Sequence, residues 1–478
     1  QLVGLNAQLI EKMESVADSH IKLLKKQTTK REVQLKIDEL NKKKIIKGRE
    51  LEALHSRFNN IMVPEKNLSI NDAHVQRTAF WQNGEINRLR SELFLAAMNL
   101  HQAWLYQAMG LGNFKGFLLT LNKFLSAPHK HPNPVRCWQT LSMFVPVLST
   151  TFASVSRMLS GVKSEEIGWL MIDEAGQASP QQAVGAILRA RRVLVVGDPL
   201  QIEPVFTTSP ALVKHLCEDV LQDQSENWNP AKLSVQQLAD RVNRWGCELE
   251  VMNNNTWIGI PLWVHRRCIE PMFSIANRLA YNNRMIHGLP SEKIHCQLVN
   301  GNLENHWLVA SGGQGKRQYR DSHGKSLLIL LDRLLYENIS LEAIYVITPF
   351  KAVKAEILKM LGQRSLKIWK QSSPSISAKT IKEWQKRCIG TVHTFQGKEN
   401  DIVILILGCD VQNDGGAKWA SSKPNLLNVA VTRAKKNIFV IGDPCVWSNL
   451  PGFNNVAYTL KQLQPNDILT INSHEQNN

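Results

Sequence analysis

Two apolar runs that each break on carboxylates constrain this chain more than any other feature: Met171-Ile172-Asp173-Glu174-Ala175-Gly176 and, further on, Val193-Leu194-Val195-Val196-Gly197-Asp198-Pro199. Short apolar runs ending in Asp-Glu or Gly-Asp-Pro read as adjacent buried parallel strands whose carboxyl ends carry a site. The first acid after such a strand suits coordination of Mg²⁺, and the second suits orienting or deprotonating water for attack on a terminal phosphate. Asp173 and Glu174 stand in that order. Gln201 follows Asp198 on the same turn, where its amide either reaches a phosphate and the attacking water or simply caps the turn.

The 478 residues suffice for about three domains, and a hydrophobic content of 43% supports packed cores. Lys plus Arg outnumber Asp plus Glu by 57 to 41, a net charge of +16 with a pI near 9.5. That balance favours a polyanionic partner such as nucleic acid. The eight cysteines (Cys137, Cys217, Cys247, Cys268, Cys296, Cys388, Cys409 and Cys445) contain no Cys-x-x-Cys pair. Neither a zinc site nor a disulfide framework is indicated, and reduced intracellular thiols are expected. No apolar run approaches the roughly 18 residues of a membrane span, and the first residues form no signal peptide. The expected setting is therefore cytoplasmic, nucleoid or nuclear, with no membrane partner. The chain begins with Gln1, and its first methionine is Met13, which reads as a fragment.

From Leu5 to Ile46 there is neither Gly nor Pro, and Leu2, Leu9, Val16 and Leu23 recur at heptad spacing. Long helices in an antiparallel hairpin are expected. Residues 21–49 hold eleven Lys or Arg against three acids, which suits a solvated helix face or contact with phosphates. A second helical stretch, about Glu85 to Leu125, carries Phe94, Leu95, Trp104, Leu105, Phe114 and Phe117 and is expected to pack the hairpin onto the body. From Val145 strands and helices alternate: Pro146–Phe152, Ile167–Ile172 and Val193–Val196, then a helix at Ser234–Trp245 and an Asn-rich linker near residues 253–255. A second alternating unit runs from about Leu262 to Val446, with strands at Ala343–Ile347, Ile402–Leu407 and Ile438–Ile441. Two α/β domains in tandem, each a parallel sheet covered on both faces, follow from this pattern, and the last thirty or so residues read as a polar tail.

Further candidates lie in the second unit. Arg266 and Arg267 are adjacent at a strand or loop end, where guanidinium suits bidentate phosphate recognition. Gly390 to Asp401 precedes a buried strand; Gly397 permits close backbone approach, and Thr394, Gln396 and Glu399 can touch sugar, phosphate or nucleic acid. Leu427 to Lys435 puts Arg433 and Lys435 at the end of a short helix, and an arginine carried from a second domain to a γ-phosphate is an arginine finger.

In order, Asp-Glu-Ala-Gly, Gly-Asp-Pro-x-Gln, Arg-Arg, Thr-Phe-Gln-Gly-x-Glu and Val-Ala-Val-Thr-Arg-Ala-Lys resemble motifs II to VI of superfamily 1 helicases. The likeness covers roughly residues 145–446 and is greatest to the 5′→3′ group of up-frameshift RNA helicases and replication helicase-nucleases. The resemblance implies an α/β fold of two tandem RecA-like parallel-sheet domains, the first incomplete, with an N-terminal helical, partly coiled-coil insertion. It divides the chain into a stalk (1–125), the remainder of the first domain (126–245), the second domain (246–450) and a tail (451–478). It implies ATP and Mg²⁺ as cofactors: Asp173 on the metal, Glu174 as general base, Gln201, Arg267 and Arg433 on the γ-phosphate, and Arg266 stacked near the base. Gln396, Gly397 and Glu399 would couple nucleotide state to the strand, and Ser149, Thr150, Thr151 and Thr394 would touch single-stranded DNA or RNA. Protein partners are expected through the stalk.

One departure stands against the resemblance. Such enzymes need a P-loop, Gly-x-x-x-x-Gly-Lys-Thr/Ser, whose backbone N–H groups and Lys cradle the phosphates. None occurs here. Gly312-Gly-Gln-Gly-Lys316 has Arg317 in place of Ser or Thr, lies between two late motifs and is expected to precede no apolar helix. The family places the P-loop before the stalk, so the expectation is a C-terminal part of an ATP-dependent helicase that is inactive alone. The alternatives are a P-loop-less nucleic-acid-binding or regulatory remnant, and a motor serving an attached nuclease.

Overall fold

The computed structural model describes residues 2–57, 73–78, 84–110, 114–205, 208–225, 227–252, 254–290, 293 and 304–470. The chain divides into two units, Gln1–Phe94 and Leu95–Asn478. In the first, the stretch without Gly or Pro lies within one helix, Leu2–Arg57, of 56 residues. It is supported by exposed i,i+4 pairs such as Lys43–Glu39 at 2.7 Å. Its side chains from residue 11 to 53 are exposed, Val16 and Leu23 included. The expected hairpin is therefore not packed. Phe94 and Leu95, on the helix Gly84–Gly110, are exposed as well, so these two residues seat nothing onto a body. The side chains of Phe114 and Phe117 lie outside the described residues.

In the second unit, β1 (Leu170–Ile172) and β2 (Val193–Val195) pair in parallel, Leu170 opposite Val193 and Ile172 opposite Val195. The helix Pro180–Leu188 crosses between them, started by the capping box of Ser179 and Gln182 with Pro at its first position. Ile172, Ala175, Ala178, Ala183 and Val235 form a small core. Contrary to expectation, the two strands are not buried: Met171, Val193, Leu194 and Val196 are exposed. Nor is Pro146–Phe152 a strand. Proline lacks a ladder donor, the hydroxyl run Ser149-Thr150-Thr151 leads straight into the helix Phe152–Met158, and no described strand lies along the free edge of β1 to receive it.

The Asn-rich linker is an antiparallel hairpin, β3 (Gly246–Val251) with β4 (Asn254–Gly259). A short parallel pair follows, β5 (Val264–His265) and β6 (Ile286–His287). The main sheet comprises β7 (His306–Val309), β8 (Ile344–Thr348), β9 (Ile389–Thr391), β10 (Asn400–Ile406), β11 (Ala434–Gly442) and β12 (Lys461–Leu463). Their order is β12-β7-β11-β10-β8-β9, every pair parallel. Ile402 to Leu407 and Ile438 to Ile441 are wholly buried, as continuous apolar runs in a parallel sheet require. The helix Asp321–Tyr336 buries Leu327, Leu330, Leu331, Leu334 and Leu335 at helical spacing.

That helix follows Gly312–Lys316 directly, against the expectation that no apolar helix would. The loop is closed by its own bonds, Asp321 N–H to Gln314 O at 2.8 Å and Ser322 Oγ to Gly312 O at 2.8 Å, so carbonyls face the helix start where phosphate would need free N–H groups. The expected polar tail is likewise corrected: β12 pairs with β7, and Phe453, Val456, Leu460 and Ile468 join the core. No described helix is long and apolar enough to cross a membrane.

Candidate functional site

β1 runs out into Asp173 and Glu174, and its parallel neighbour β2 into Gly197 and Asp198, so four functional positions share one sheet end. Glu174 adopts a left-handed backbone, φ 52° and ψ 39°, which a side chain of this size holds only under constraint. Its N–H donates to Asp173 Oδ1 at 2.9 Å, and the next N–H, of Ala175, donates to Val196 O at 3.0 Å. Glycine is required at 197 because a Cβ there would fall 2.8 Å from Ala175 N and 2.9 Å from Gly176 N. Glu174 Oε2 accepts from Gln177 Nε2 at 3.1 Å and from Gln396 Nε2 at 3.4 Å. The second bond comes from the loop after β9. Gly397, at φ +73°, makes the turn, and a Cβ there would stand 3.6 Å from Glu174 Oε1. Glu174 Oε1 and Asp173 Oδ2 take no hydrogen bond among the described residues.

Two segments bring three more charges to the same loop, Arg267 from the stretch after β5 and Arg433 and Lys435 from the start of β11. Arg267 Nε pairs with Glu399 Oε2 at 2.8 Å, and Lys435 Nζ lies 3.8 Å from Glu399 Oε1. Arg433 is 1% exposed. Its Nε donates to Val429 O (3.1 Å), Nη1 to Lys398 O (2.9 Å) and Phe395 O (3.5 Å), and Nη2 to Thr432 Oγ1 (3.3 Å). Burial, then the charge of Arg267, lower its pKa, while Cys268, Glu174 and Glu399 act in the opposite sense. Arg433 thus shares a field with the candidate base. Burial pushes the Cys268 thiol up to about 12, which leaves it no nucleophilic role.

The Gly-Asp-Pro turn is held by groups that the sequence did not single out. Asp198 Oδ1 accepts Leu200 N–H at 2.9 Å, and Oδ2 accepts Gln201 Nε2 at 3.1 Å and the Tyr281 hydroxyl. Desolvation by burial raises the Asp198 pKa, and the charge of Glu174 adds to that rise. Asn428 Nδ2 donates to the Tyr281 hydroxyl (2.9 Å) and to Leu200 O (3.0 Å), and Asn425 Nδ2 donates to Gln201 O. Gln201 is therefore turned onto Asp198, with its Oε1 buried and unpartnered among the described residues. Leu200 and Ile202 join the core of the second sheet, so this turn is where the two α/β parts are joined. Asn428 sits in the quoted run before Arg433; Tyr281 follows the helix Met272–Ala280 with no local signal.

Other expected residues lie apart from this cluster. Arg266 is exposed, its Nη1 on Gly288 O at 3.2 Å. Ser149, Thr150 and Thr151 line an exposed segment, Thr151 Oγ1 donating to Ser154 Oγ at 3.4 Å. Thr394 is exposed and lies 3.2 Å, Oγ1 to Oγ1, from Thr391.

Two family profiles, each described as an AAA domain, match residues 140–209 and 250–445, which takes in every motif of this cluster. A regulator of nonsense transcripts 1 homolog of Neurospora crassa is 24% identical over 58% of this chain and 22% of its own length. The ATP-dependent helicase upf1 of Schizosaccharomyces pombe is 25% identical over 63% of this chain and 29% of its own. Over these stretches the chain is similar to Upf1-like helicases. The DNA replication ATP-dependent helicase/nuclease DNA2 of Saccharomyces cerevisiae is 22% identical over 66% of this chain and 20% of its own length. The chain thus spans less than a third of the curated relatives it matches. The ordered motifs gather at the ends of two parallel sheets, where Gln396, after β9, donates to Glu174, after β1.

Proposed function

We propose that this chain forms the catalytic face of an ATP-dependent helicase, a motor that hydrolyses ATP and moves along single-stranded DNA or RNA. The observation that carries this reading is the hydrogen bond from Gln396 to Glu174, which joins residues 222 positions apart at the end of two parallel sheets. The donor set fits the cofactors in part. Asp173 Oδ2 and Glu174 Oε1 are open oxygens of the kind Mg²⁺ takes, whereas no loop that would cradle a triphosphate occurs in the sequence.

Bound ATP would supply the phosphoanhydride whose cleavage drives movement. Asp173 would hold the Mg²⁺ through Oδ2. Glu174 accepts the proton of the attacking water at Oε1, while Gln177 and Gln396 fix Oε2 and with it the direction of the base. Arg267, after β5, and Arg433, before β11, supply positive charge, Glu399 orienting the first and the carbonyls of Phe395, Val429 and Lys398 the second. Gln201 serves the γ-phosphate, Gln396, Gly397 and Glu399 link nucleotide state to the strand, Arg266 lies by the base, and Ser149, Thr150, Thr151 and Thr394 meet the nucleic acid. The helix Leu2–Arg57, exposed over residues 11–53 and basic over residues 21–49, is open to phosphates and to protein partners. The setting is cytoplasmic, nucleoid or nuclear.

The burial of Arg433 favours one second reading, a nucleic-acid-binding module without catalysis. Both readings require strand binding, and they separate on chemistry. Lacking a phosphate cradle, these 478 residues alone should not hydrolyse ATP at a motor's rate. Steady-state hydrolysis by the purified chain, stimulated by single strands to about 1 s⁻¹ or more, would contradict that expectation.

A further inference from the structure

At the carboxyl end of the second sheet, the neighbours β8 and β10 run out into two turns that meet on one aromatic ring. Pro349 ends β8, and Phe350 N–H donates to Thr348 Oγ1 at 3.3 Å before the helix Lys351–Gln363 begins. β10 leads into Gly408 and Cys409, at φ +70° and 62°, and the chain then enters the helix Gly415–Ser421. Two glycines hold the Phe350 ring: a Cβ at 408 would fall 3.2 Å from its Cδ2, and one at 416 would fall 3.2 Å from its Cε1 and Cζ. The second helix therefore lies flush on Phe350. One turn beyond Gly416 it sets Trp419 against the same ring, centroids 6.1 Å apart and planes at 45°.

Phe350 is only 8% exposed, whereas Trp419 is 57% exposed. An indole backed by a fixed ring is a flat apolar surface held in place. Arg192 lies over the exposed Trp169 and Arg244 over the exposed Trp245, but among the described residues no cation covers Trp419. The surroundings are basic. Lys351 follows Phe350, and Lys316 and Arg317 stand on the glycine-rich loop that Cys409 holds through its N–H on Gln318 O at 2.7 Å. All three are exposed and form no ion pair among the described residues. The neighbouring acids are taken: Asp410 pairs with Arg320 at 2.5 Å and Asp414 with Lys418 at 2.9 Å. Thr348 stands opposite Thr391, so Thr394, three residues on, borders the same end.

An uncovered ring beside unpaired cations fits a ligand that carries a flat π face and repeated negative charge. A single strand has both, since every base offers a face for stacking and every link a phosphate; an apolar peptide would leave three cations unanswered. We propose that Trp419, backed by Phe350, stacks on one unpaired base of a single-stranded nucleic acid, with Lys351, Lys316 and Arg317 taking neighbouring phosphates. This contact rests on the single-strand reading above and assigns it a residue that senses the base where the lysines and the arginine sense only the backbone. Stacking of this kind tolerates any sequence, as a motor moving along a strand requires.

The test titrates the whole chain against two end-labelled oligonucleotides of equal length and charge, one of mixed bases and one of abasic sites, at two low salt concentrations. Trp419→Ala should weaken binding of the base-bearing strand at least about fivefold, leave the abasic strand unchanged and keep the salt dependence. Trp419→Phe should restore most of the lost affinity. Lys351→Ala should weaken both strands alike and lower the salt slope by about 0.7. Unchanged affinity of Trp419→Ala for the base-bearing strand, or an equal loss on both strands, would overturn the stacking platform and leave the single-strand reading intact. Binding of neither strand by the unaltered chain would overturn both. Self-association of the unaltered chain that Trp419→Ala abolishes, with strand affinity unchanged, would give the ring to a second copy and overturn the platform as well.

Discussion

At the residue scale, the proposed site makes unequal demands on Glu174 and Arg433. Once a phosphate loop is supplied, Glu174→Gln keeps the bond from Gln177 but removes the base, so nucleotide should bind while turnover falls by roughly 10²-fold or more. Arg433→Ala should lose more, about 10³-fold, and should also lower stability, because it strips donors from the carbonyls of Val429 and Lys398 inside the core. Comparing denaturation midpoints with turnover separates the two losses; an Arg433→Ala protein of native stability and turnover would remove it from the site. Both residues were legible in the sequence because short motifs set their chemistry. Tyr281 was not, since its role depends on a hydroxyl meeting Asp198 across 83 residues. Burial also sets a pH response. His265 and His323 are both lowered to about 4 by desolvation and by neighbouring arginines. The unfolded chain therefore binds these protons first, and stability should fall as pH drops from 6.5 toward 4. Urea midpoints measured across that window test it, and His323→Gln should flatten the slope.

At the scale of elements, the turn Asp198–Gln201 and the helix Asn425–Thr432 form one joint through Tyr281 and Asn428. Tyr281→Phe leaves Asp198 buried with one donor fewer and should cost about 1–3 kcal/mol, with faster amide exchange at Leu200 and Gln201. Unchanged midpoint and exchange would mean that apolar packing of Leu200 and Ile202 alone makes the joint. Three of the six strands of the second sheet, β8, β10 and β11, were readable as continuous apolar runs to within a few residues, because burial on both faces leaves no other pattern; the short β7, β9 and β12 carry too few residues to stand out. The hairpin β3–β4 was not: Asn254 and Asn255 read as linker, yet their strand is held by pairing with Glu250 and Val251 and by Trp257 Nε1 on Asp240 O at 3.0 Å. The heptads at Leu2 to Leu23 foretold a helix but not a partner, since seven-residue spacing specifies a face without specifying what covers it.

At the scale of the whole molecule, the charge of +16 predicts sequence-independent binding of single strands whose affinity falls steeply with salt. Titrations at two salt concentrations check this, and equal affinities, or no binding at low salt, would remove its physical basis. The central proposal is that Asp173, Glu174, Gln396, Arg267 and Arg433 form the catalytic side of one ATP site. Single-strand-stimulated ATP hydrolysis by the chain joined to a phosphate loop, measured beside its Glu174→Gln form, tests it most directly. The account predicts turnover near 1 s⁻¹ or above that drops at least about 10²-fold in the variant; no stimulated turnover in the joined protein, or equal turnover in the two, would contradict it.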